Sequence, residues 1–356
     1  GFAAGSGDSE GVDMSVRQPV AMSPVRRGRG RPKRFDRIVA DLVADIAAGR
    51  LVPGQRIQAR REMALRYDAT IVTVQKALAE MEAAGIVRSE GWQGTFVCDH
   101  PPCLRRFGLL LPDRPGKDGG FTSRFHASLA LAAAEDGRRN GCEWIIYDGL
   151  LAGGKVLKRL QSDLTGHRLA GLATPFFRQL QPLIRDLVSY RIPVVQIGGA
   201  APDPGCHHLD FDRHHLNNLA ARRLVAAGCC RPMVAVLANI VPAHLSNILK
   251  TLERSGLSVA PGAVMGFDPA YADWISQWIA GQWALPRAHR PDGLLVMDDN
   301  FIDAIQLGLS RLQIAAGRDL TVVAYANLPY HRMPEGFLGI GCESSGILEM
   351  AREVLQ

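Results

Sequence analysis

The sequence predicts an α/β protein built from an N-terminal winged helix-turn-helix and a two-lobed domain of parallel sheets. Three observations carry that expectation. Between Arg34 and Val97 three short helical patterns precede a ribbon with glycines at its tip. From Arg106 onward, short apolar runs alternate with amphipathic helical stretches. A chain of 356 residues also exceeds what one small core accommodates.

Residues 1–33 are rich in Gly, Ser, Pro and Arg and carry no apolar period, so they read as a disordered basic arm. The net charge of +6 is modest, but Arg26, Arg27, Arg29, Arg31, Lys33, Arg34 and Arg37 crowd one short run. Such a run attracts polyanions, of which DNA is the commonest in a cytoplasm. The first helix starts at Arg34, puts Phe35, Ile38, Leu42 and Ile46 on one face, and closes at Gly49 and the Pro53-Gly54 turn. A second fits Arg60 to Tyr67. The third begins at Thr70, whose hydroxyl can cap it, and buries Val74, Ala77, Leu78 and Met81 at helical spacing until Gly85 ends it. Ile86–Arg88 and Thr95–Val97 are β-prone, with a hairpin turn over Gly91–Gly94. The small domain therefore spans 34–98, and Pro101 and Pro102 mark 99–105 as a linker.

The apolar runs beyond it are FGLLL at 107–111, EWIIY at 143–147, PVVQI at 193–197, MVAVL at 233–237, GLLVM at 293–297 and LTVVAY at 320–325. Helical patterns between them include Arg124–Asn140, Arg178–Tyr190, His214–Ala227, Ala243–Gly256 and Phe301–Ala316. This alternation implies parallel sheets with helices on both faces, and the length of 106–356 suits two lobes.

Three helices followed by a ribbon place the third helix in a major groove and the wing along the backbone or minor groove. The outward face of that helix presents Thr70, Thr73, Gln75 and Lys76, and the amide of Gln75 can pair bidentately with adenine. The stretch AGRLVPGQRIQARREMALRYDATIVTVQKALAEMEAAGIVRSEGWQGTFV resembles the DNA-binding domain of the gluconate-repressor (GntR) family over about 50 residues. The resemblance rests on Gly-x-x-x-Pro-Gly, the TVxxAL core of helix three and the Gly-Thr-Phe-Val wing end. It implies DNA contact by Arg60 or Arg61, by Thr70 and Thr73, and by Gln93 and Gly94. The chain departs from the family at Ile71 and Gln75, where arginines are usual, and at Gln58-Ala59, where Pro-Ser is usual. Fewer cations weaken the salt-dependent part of binding and shift base preference. The bland alternative, a winged helix used for protein contact, is disfavoured by the adjacent basic arm. Within the arm, RGRPK at 29–33 resembles an AT-hook core, whose Arg29 and Arg31 would lie in a narrow minor groove; a merely solvated basic tail is the alternative.

Residues 106–356 resemble the ligand-binding domain of the lactose-repressor (LacI) family, itself similar to periplasmic sugar-binding proteins of type I. The matching pieces are FGLLLPD, RIPVVQIGG, LDFDRHHLNNLAARRLVAAG, RPDGLLVMDDN and LTVVAYANLP. The resemblance implies a ligand between the lobes, touched by strand ends and the loops after them. That logic selects Asp113, Phe176, Phe177, Asp212, Asp299 and Asn327, a set of carboxylates, an amide and rings suited to a sugar. Asp212 and Asp299 have a plainer reading as helix caps. The family's arginine near residue 244 is replaced by His244, which removes a bidentate clamp. The resemblance also leaves the second lobe short of a strand after the final helix.

Other classes fit poorly. The seven cysteines are scattered and do not form a disulfide framework. CHHLDFDRHH at 206–215 holds metal-ligating residue types without ligand spacing, so no metal is expected, and no cofactor. A nucleophile elbow, a phosphate loop and a dinucleotide fingerprint are all missing, so the chain is not read as an enzyme. With no long apolar stretch and no signal pattern, the expectation is a cytoplasmic protein that does not enter membranes. The combined reading is a ligand-responsive, homodimeric repressor on a palindromic double-stranded operator, with a sugar as effector. An architectural DNA binder with a vestigial ligand domain is the alternative.

Overall fold

The computed structural model describes residues 34–113, 123–190, 192–199, 203–269, 274–329 and 332–356. Arg29 and Arg31 lie outside the described residues.

The N-terminal unit consists of helices α1 (Arg34–Ala47), α2 (Arg60–Arg66) and α3 (Ile71–Ala83), followed by the hairpin β1 (Val87–Ser89) and β2 (Thr95–Val97). Thr70 caps α3, its Oγ1 accepting from the Thr73 backbone N at 3.2 Å. Gly85, at φ 71°, takes the left-handed conformation that ends the helix. Ile38, Leu42, Ile46, Met63, Val74, Leu78, Met81 and Val97 form one core beneath the three helices. The hairpin pairs antiparallel in the register Val87↔Val97, Arg88↔Phe96, Ser89↔Thr95.

The stretch read as a linker is partly helical. Pro102 opens a one-turn helix, α4 (Pro102–Arg105), because a proline at the first helical position has its φ preset and needs no donor. Cys103 from this turn is buried in the core of the N-terminal unit. The chain then runs without a break into β3 (Arg106–Leu110).

Two parallel five-stranded sheets follow. The first has the order β4-β3-β5-β6-β7, with β4 at Glu143–Tyr147, β5 at Gly171–Pro175, β6 at Val194–Ile197 and β7 at His207–Leu209. Helices α5 (Arg124–Asn140), α6 (Lys155–Thr165) and α7 (Gln181–Val188) cover its faces. The second sheet has the order β12-β11-β10-β8-β9. Its strands are β8 (Pro232–Leu237), β9 (Val264–Phe267), β10 (Gly293–Val296), β11 (Thr321–Leu328) and β12 (Phe337–Glu343). Around it lie α8 (Arg213–Ala226), α9 (Pro242–Arg254), α10 (Trp274–Trp283) and α11 (Ile302–Arg311). Each sheet is sandwiched between two apolar clusters, as buried parallel strands require.

Four strands lie outside the apolar runs: β5, where GLATP is buried but mixes Gly, Thr and Pro with its apolar residues, and three others, each for its own physical reason. β7 has only Leu209 as an apolar residue, after His207 and His208, and none of the three is fully buried. β9 is an edge strand whose central Met265 and Gly266 are exposed. β12 carries Gly339 and Gly341 where bulk would be expected; a Cβ at Gly341 would sit 1.9 Å from the Ala326 carbonyl oxygen, so the close pairing of β11 and β12 admits no side chain there.

The final helix, α12 (Ser344–Leu355), does not complete the second lobe. Its Ile347, Leu348, Ala351 and Leu355 pack against Phe107, Leu109, Leu129 and Val195 of the first. The chain therefore passes between lobes after β7 and again after β12. Arg352 fixes the return, its Nε 3.2 Å from Asp136 on α5, while Trp144 Nε1 donates to the same carboxylate at 2.7 Å. Among the described residues no helix is long and apolar enough to cross a membrane.

Candidate nucleic-acid interface and effector cleft

Because α3 buries Val74, Ala77, Leu78 and Met81, its opposite face carries Val72, Gln75, Lys76 and Ala79, all exposed. Gln75 is thus presented outward on the second turn. Thr70 and Thr73 are engaged with one another, their hydroxyl oxygens 2.9 Å apart, so the cap and the candidate contact are one feature. Lys76 leans toward α1, its Nζ 5.4 Å from the centre of the Phe35 ring. Arg60 and Arg61 are exposed at the start of α2, where the Ala59 backbone N donates to Glu62 Oε2 at 3.2 Å.

The wing tip is closed by two backbone bonds. Glu90 N donates to Gly94 O at 2.8 Å and Gln93 N donates to Glu90 O at 2.9 Å. Gln93 is exposed. Gly94, at φ 119°, serves the backbone geometry: a Cβ there would lie 2.8 Å from Arg56 Nε. The sequence reading did not single out Arg56 or Trp92, both exposed by the wing, nor Leu65 and Val72, which with Ile71 give the helix pair an apolar exposed edge.

The ligand candidates fall into two groups. On the first lobe, Asp113 follows β3, and its Oδ2 lies 3.1 Å from Nδ1 of His126, a buried residue in the first turn of α5. The Phe177 ring stands edge-on to His126 at 6.2 Å, and Phe125 meets Phe211 at 5.8 Å. Phe176 follows β5 and packs against Gly199, where a Cβ would lie 2.6 Å from the ring. On the second lobe, Asp299 is buried after β10 and accepts from Asn327 N at 3.2 Å and from Asn327 Nδ2 at 2.8 Å. The structure therefore couples these two candidates directly. Asp212 is exposed and caps α8, accepting from His215 N at 2.8 Å. His244 is half-buried in the first turn of α9, its backbone N donating to Val241 O at 2.9 Å.

The lobes touch at Arg124. Its backbone N donates to Asn300 Oδ1 at 2.9 Å and its Nη2 lies 2.6 Å from Asp303 Oδ2. Asn300 in turn donates to Asp298 Oδ1 from both N and Nδ2, at 2.9 and 2.6 Å. Burial pushes the Asp298 carboxyl up to about 6; the Asn300 bonds and the Arg124 guanidinium oppose that rise, and neighbouring Asp299 adds to it. Arg124 and His126 were missed in the sequence. The rule that selected Asp113, a position after a strand end, extends to the helix start that follows it.

Residues 35–97 match the family model of bacterial regulatory proteins, gntR family. The chain is 34% identical over 73 residues to the HTH-type transcriptional regulator Rv1152 of Mycobacterium tuberculosis, covering 20% of this chain and 60% of that protein. It is 39% identical over 49 residues to the uncharacterized HTH-type transcriptional regulator YhcF of Bacillus subtilis, covering 14% of this chain and 40% of that one.

Residues 35–97 are thus a winged helix-turn-helix similar to that of the gntR family.

The chain thus spans less than two thirds of either curated relative, and the gntR family model matches residues 35–97. The α/β region has the fold of LacI-family regulators. A LacI family regulator of Arthrobacter sp. FB24 in complex with lactose superposes with a TM-score of 0.55 at 16% identity, covering 70% of this chain and 88% of that one. A LacI family regulator of Lactobacillus casei with bound glucose gives 0.52 at 16%, covering 70% and 92%. A ribose operon repressor, so described, from Burkholderia thailandensis gives 0.51 at 19%, covering 70% and 90%. The chain therefore joins a helix-turn-helix unit that matches the gntR family model to an α/β body with the fold seen in LacI-family regulators.

Proposed function

We propose that the protein is a transcriptional regulator whose gntR head binds a double-stranded operator and whose LacI-type body takes a small polyhydroxylated effector, most simply a sugar. The observation that carries this reading is the exposed α3 face with Gln75 in one unit and, in the other, a polar pair after a strand end in each lobe, Asp113 with His126 and Asp299 with Asn327, in lobes that meet where Arg124 contacts Asn300 and Asp303. The rings of Phe125, Phe177 and Phe211 beside them supply apolar faces against which a sugar ring packs. Structural neighbours holding lactose and glucose support the ligand class. Asp212 is assigned to capping, and the loss of an arginine clamp at His244 favours an uncharged effector over a carboxylate.

Two copies related by a two-fold axis would present two α3 helices to a palindromic site. The effector acts through its preference for one lobe arrangement, and such coupling is typically about 1–3 kcal/mol, or about 5- to 150-fold in operator affinity. Repression is the expected outcome where the operator overlaps a promoter. The test is fluorescence anisotropy on a duplex selected by the full chain from a random pool, titrated with a panel of neutral sugars. Release of the duplex by one sugar within that range is expected. Salt-sensitive, sequence-blind binding unmoved by any sugar would favour an architectural DNA binder instead.

A further inference from the structure

The wing of this domain ends in a tryptophan, and the structure leaves it unused by the protein's own fold. Trp92 is 91% exposed. It sits in a tip held rigid by the Glu90–Gly94 and Gln93–Glu90 backbone bonds, with Gly91 and Gly94 supplying the positive φ values the turn demands. Directly behind it, Arg56 is exposed and lies against Gly94. An indole so displayed gains nothing in the free chain, because its large apolar surface stays in water. The same wing is continuous with α3, whose exposed face includes Gln75.

We infer that Trp92 is an apolar wedge that enters the minor groove of the operator at the wing contact, partly unstacking one base step and bending the duplex, with Arg56 anchoring the adjacent phosphate. The inference rests on the DNA-binding reading above and deepens it. When α3 lies in a major groove, a wing projects toward the neighbouring minor groove or backbone. Apolar side chains inserted there separate base steps and kink DNA, and they do so most readily at pyrimidine–purine steps, which resist unstacking least. The polar alternatives at the tip are weak: Gln93 is uncharged, and Arg88 is held by Glu90 at 3.0 Å and Asp99 at 3.2 Å. Affinity at this contact therefore depends on apolar burial and stacking, with Arg56 as the cation.

The experiment uses the full chain, a duplex selected by the wild type from a random pool, and end-labelled copies of that duplex whose energy transfer reads the bend. Trp92→Ala is expected to weaken binding by about tenfold or more and to reduce the bend, with the salt dependence of binding unchanged, because no counterion is released by an indole. Trp92→Phe should retain part of both effects. Arg56→Ala should instead lower the salt slope by about one. Replacing the pyrimidine–purine step under the wing by a stiff A-tract should weaken the wild type and leave Trp92→Ala unmoved. The residue is fully outside the core, so thermal melting of each variant should match the wild type. If Trp92→Ala binds and bends the selected duplex as the wild type does, the wedge is wrong while the regulator reading stands. If the wild type selects no duplex at low ionic strength, the underlying reading fails first.

Discussion

At Thr70 one hydroxyl caps a helix and is also a candidate DNA contact. It accepts from Thr73 N at 3.2 Å, satisfying a donor that the start of α3 otherwise leaves without a partner. Thr70→Ala is therefore expected to cost about 1 kcal/mol in urea denaturation, and Thr70→Ser to restore it. Gln75 separates the two roles. It is exposed and makes no contribution to the core, so Gln75→Ala should leave stability within about 0.5 kcal/mol while reducing discrimination at one base pair by about 1–3 kcal/mol, read by competition with base-substituted operators. Asp298 gives a pH dependence. Its carboxyl rises from the ordinary 3.8 to about 6 on folding, so between those values the native chain holds a proton that the unfolded chain has released. Stability from this group is complete below about pH 4 and is lost as pH rises through 6, by about 1–3 kcal/mol. Asp298→Asn keeps an acceptor for Asn300 N and should remove that fall, as seen in denaturation curves taken at intervals from pH 4 to 8.

Among the elements, α5 was legible to the residue, since Gly141 in the left-handed conformation stops it and an apolar stripe fills its length. The third helix and both wing strands were legible for the same reason: cap, period and glycine all agree. The strands β7, β9 and β12 were not, because edge position and glycine close-packing replace the apolar run that marks a central strand. The candidate site divides likewise. Positions after strand ends, such as Asp113 and Asp299, follow from the topology of parallel sheets. The pairing of Arg124 with Asn300 depends on how two lobes meet, and no local pattern in the sequence encodes it. The destination of α12 was not legible for a similar reason, since its apolar stripe says that it packs and not on which sheet. Leu348, fully buried between α12 and the first sheet, tests that destination. Leu348→Ala should cost about 2–5 kcal/mol and loosen the environment of Trp144, the indole joined to α12 through Asp136, which a fluorescence-detected melt would register.

For the whole molecule, charge is distributed in a way that separates affinity from specificity. Residues 1–33 carry six cations against three carboxylates, half of the net charge of +6. The gntR head has uncharged Ile71 and Gln75 where its resemblance to relatives leads one to expect arginine, so its own phosphate-neutralising power is reduced. On the proposed reading the arm and the head are complementary: the arm would supply the long-range, salt-dependent attraction, and the α3 face and wing would supply the selection. Deleting residues 1–33 is expected to lower affinity for every duplex by a similar factor, about tenfold or more at low salt, and to reduce the slope of log affinity against log salt by about 0.9 for each phosphate that the arm neutralises. The ratio between operator and random duplex should hold. If the RGRPK segment instead acts as a minor-groove reader, the deletion would lower that ratio selectively for operators with A·T-rich flanks, because only a narrow groove concentrates the potential that holds Arg29 and Arg31. Anisotropy titrations of the full and shortened chains on operators with A·T-rich and G·C-rich flanks, across a range of salt, decide between the two roles.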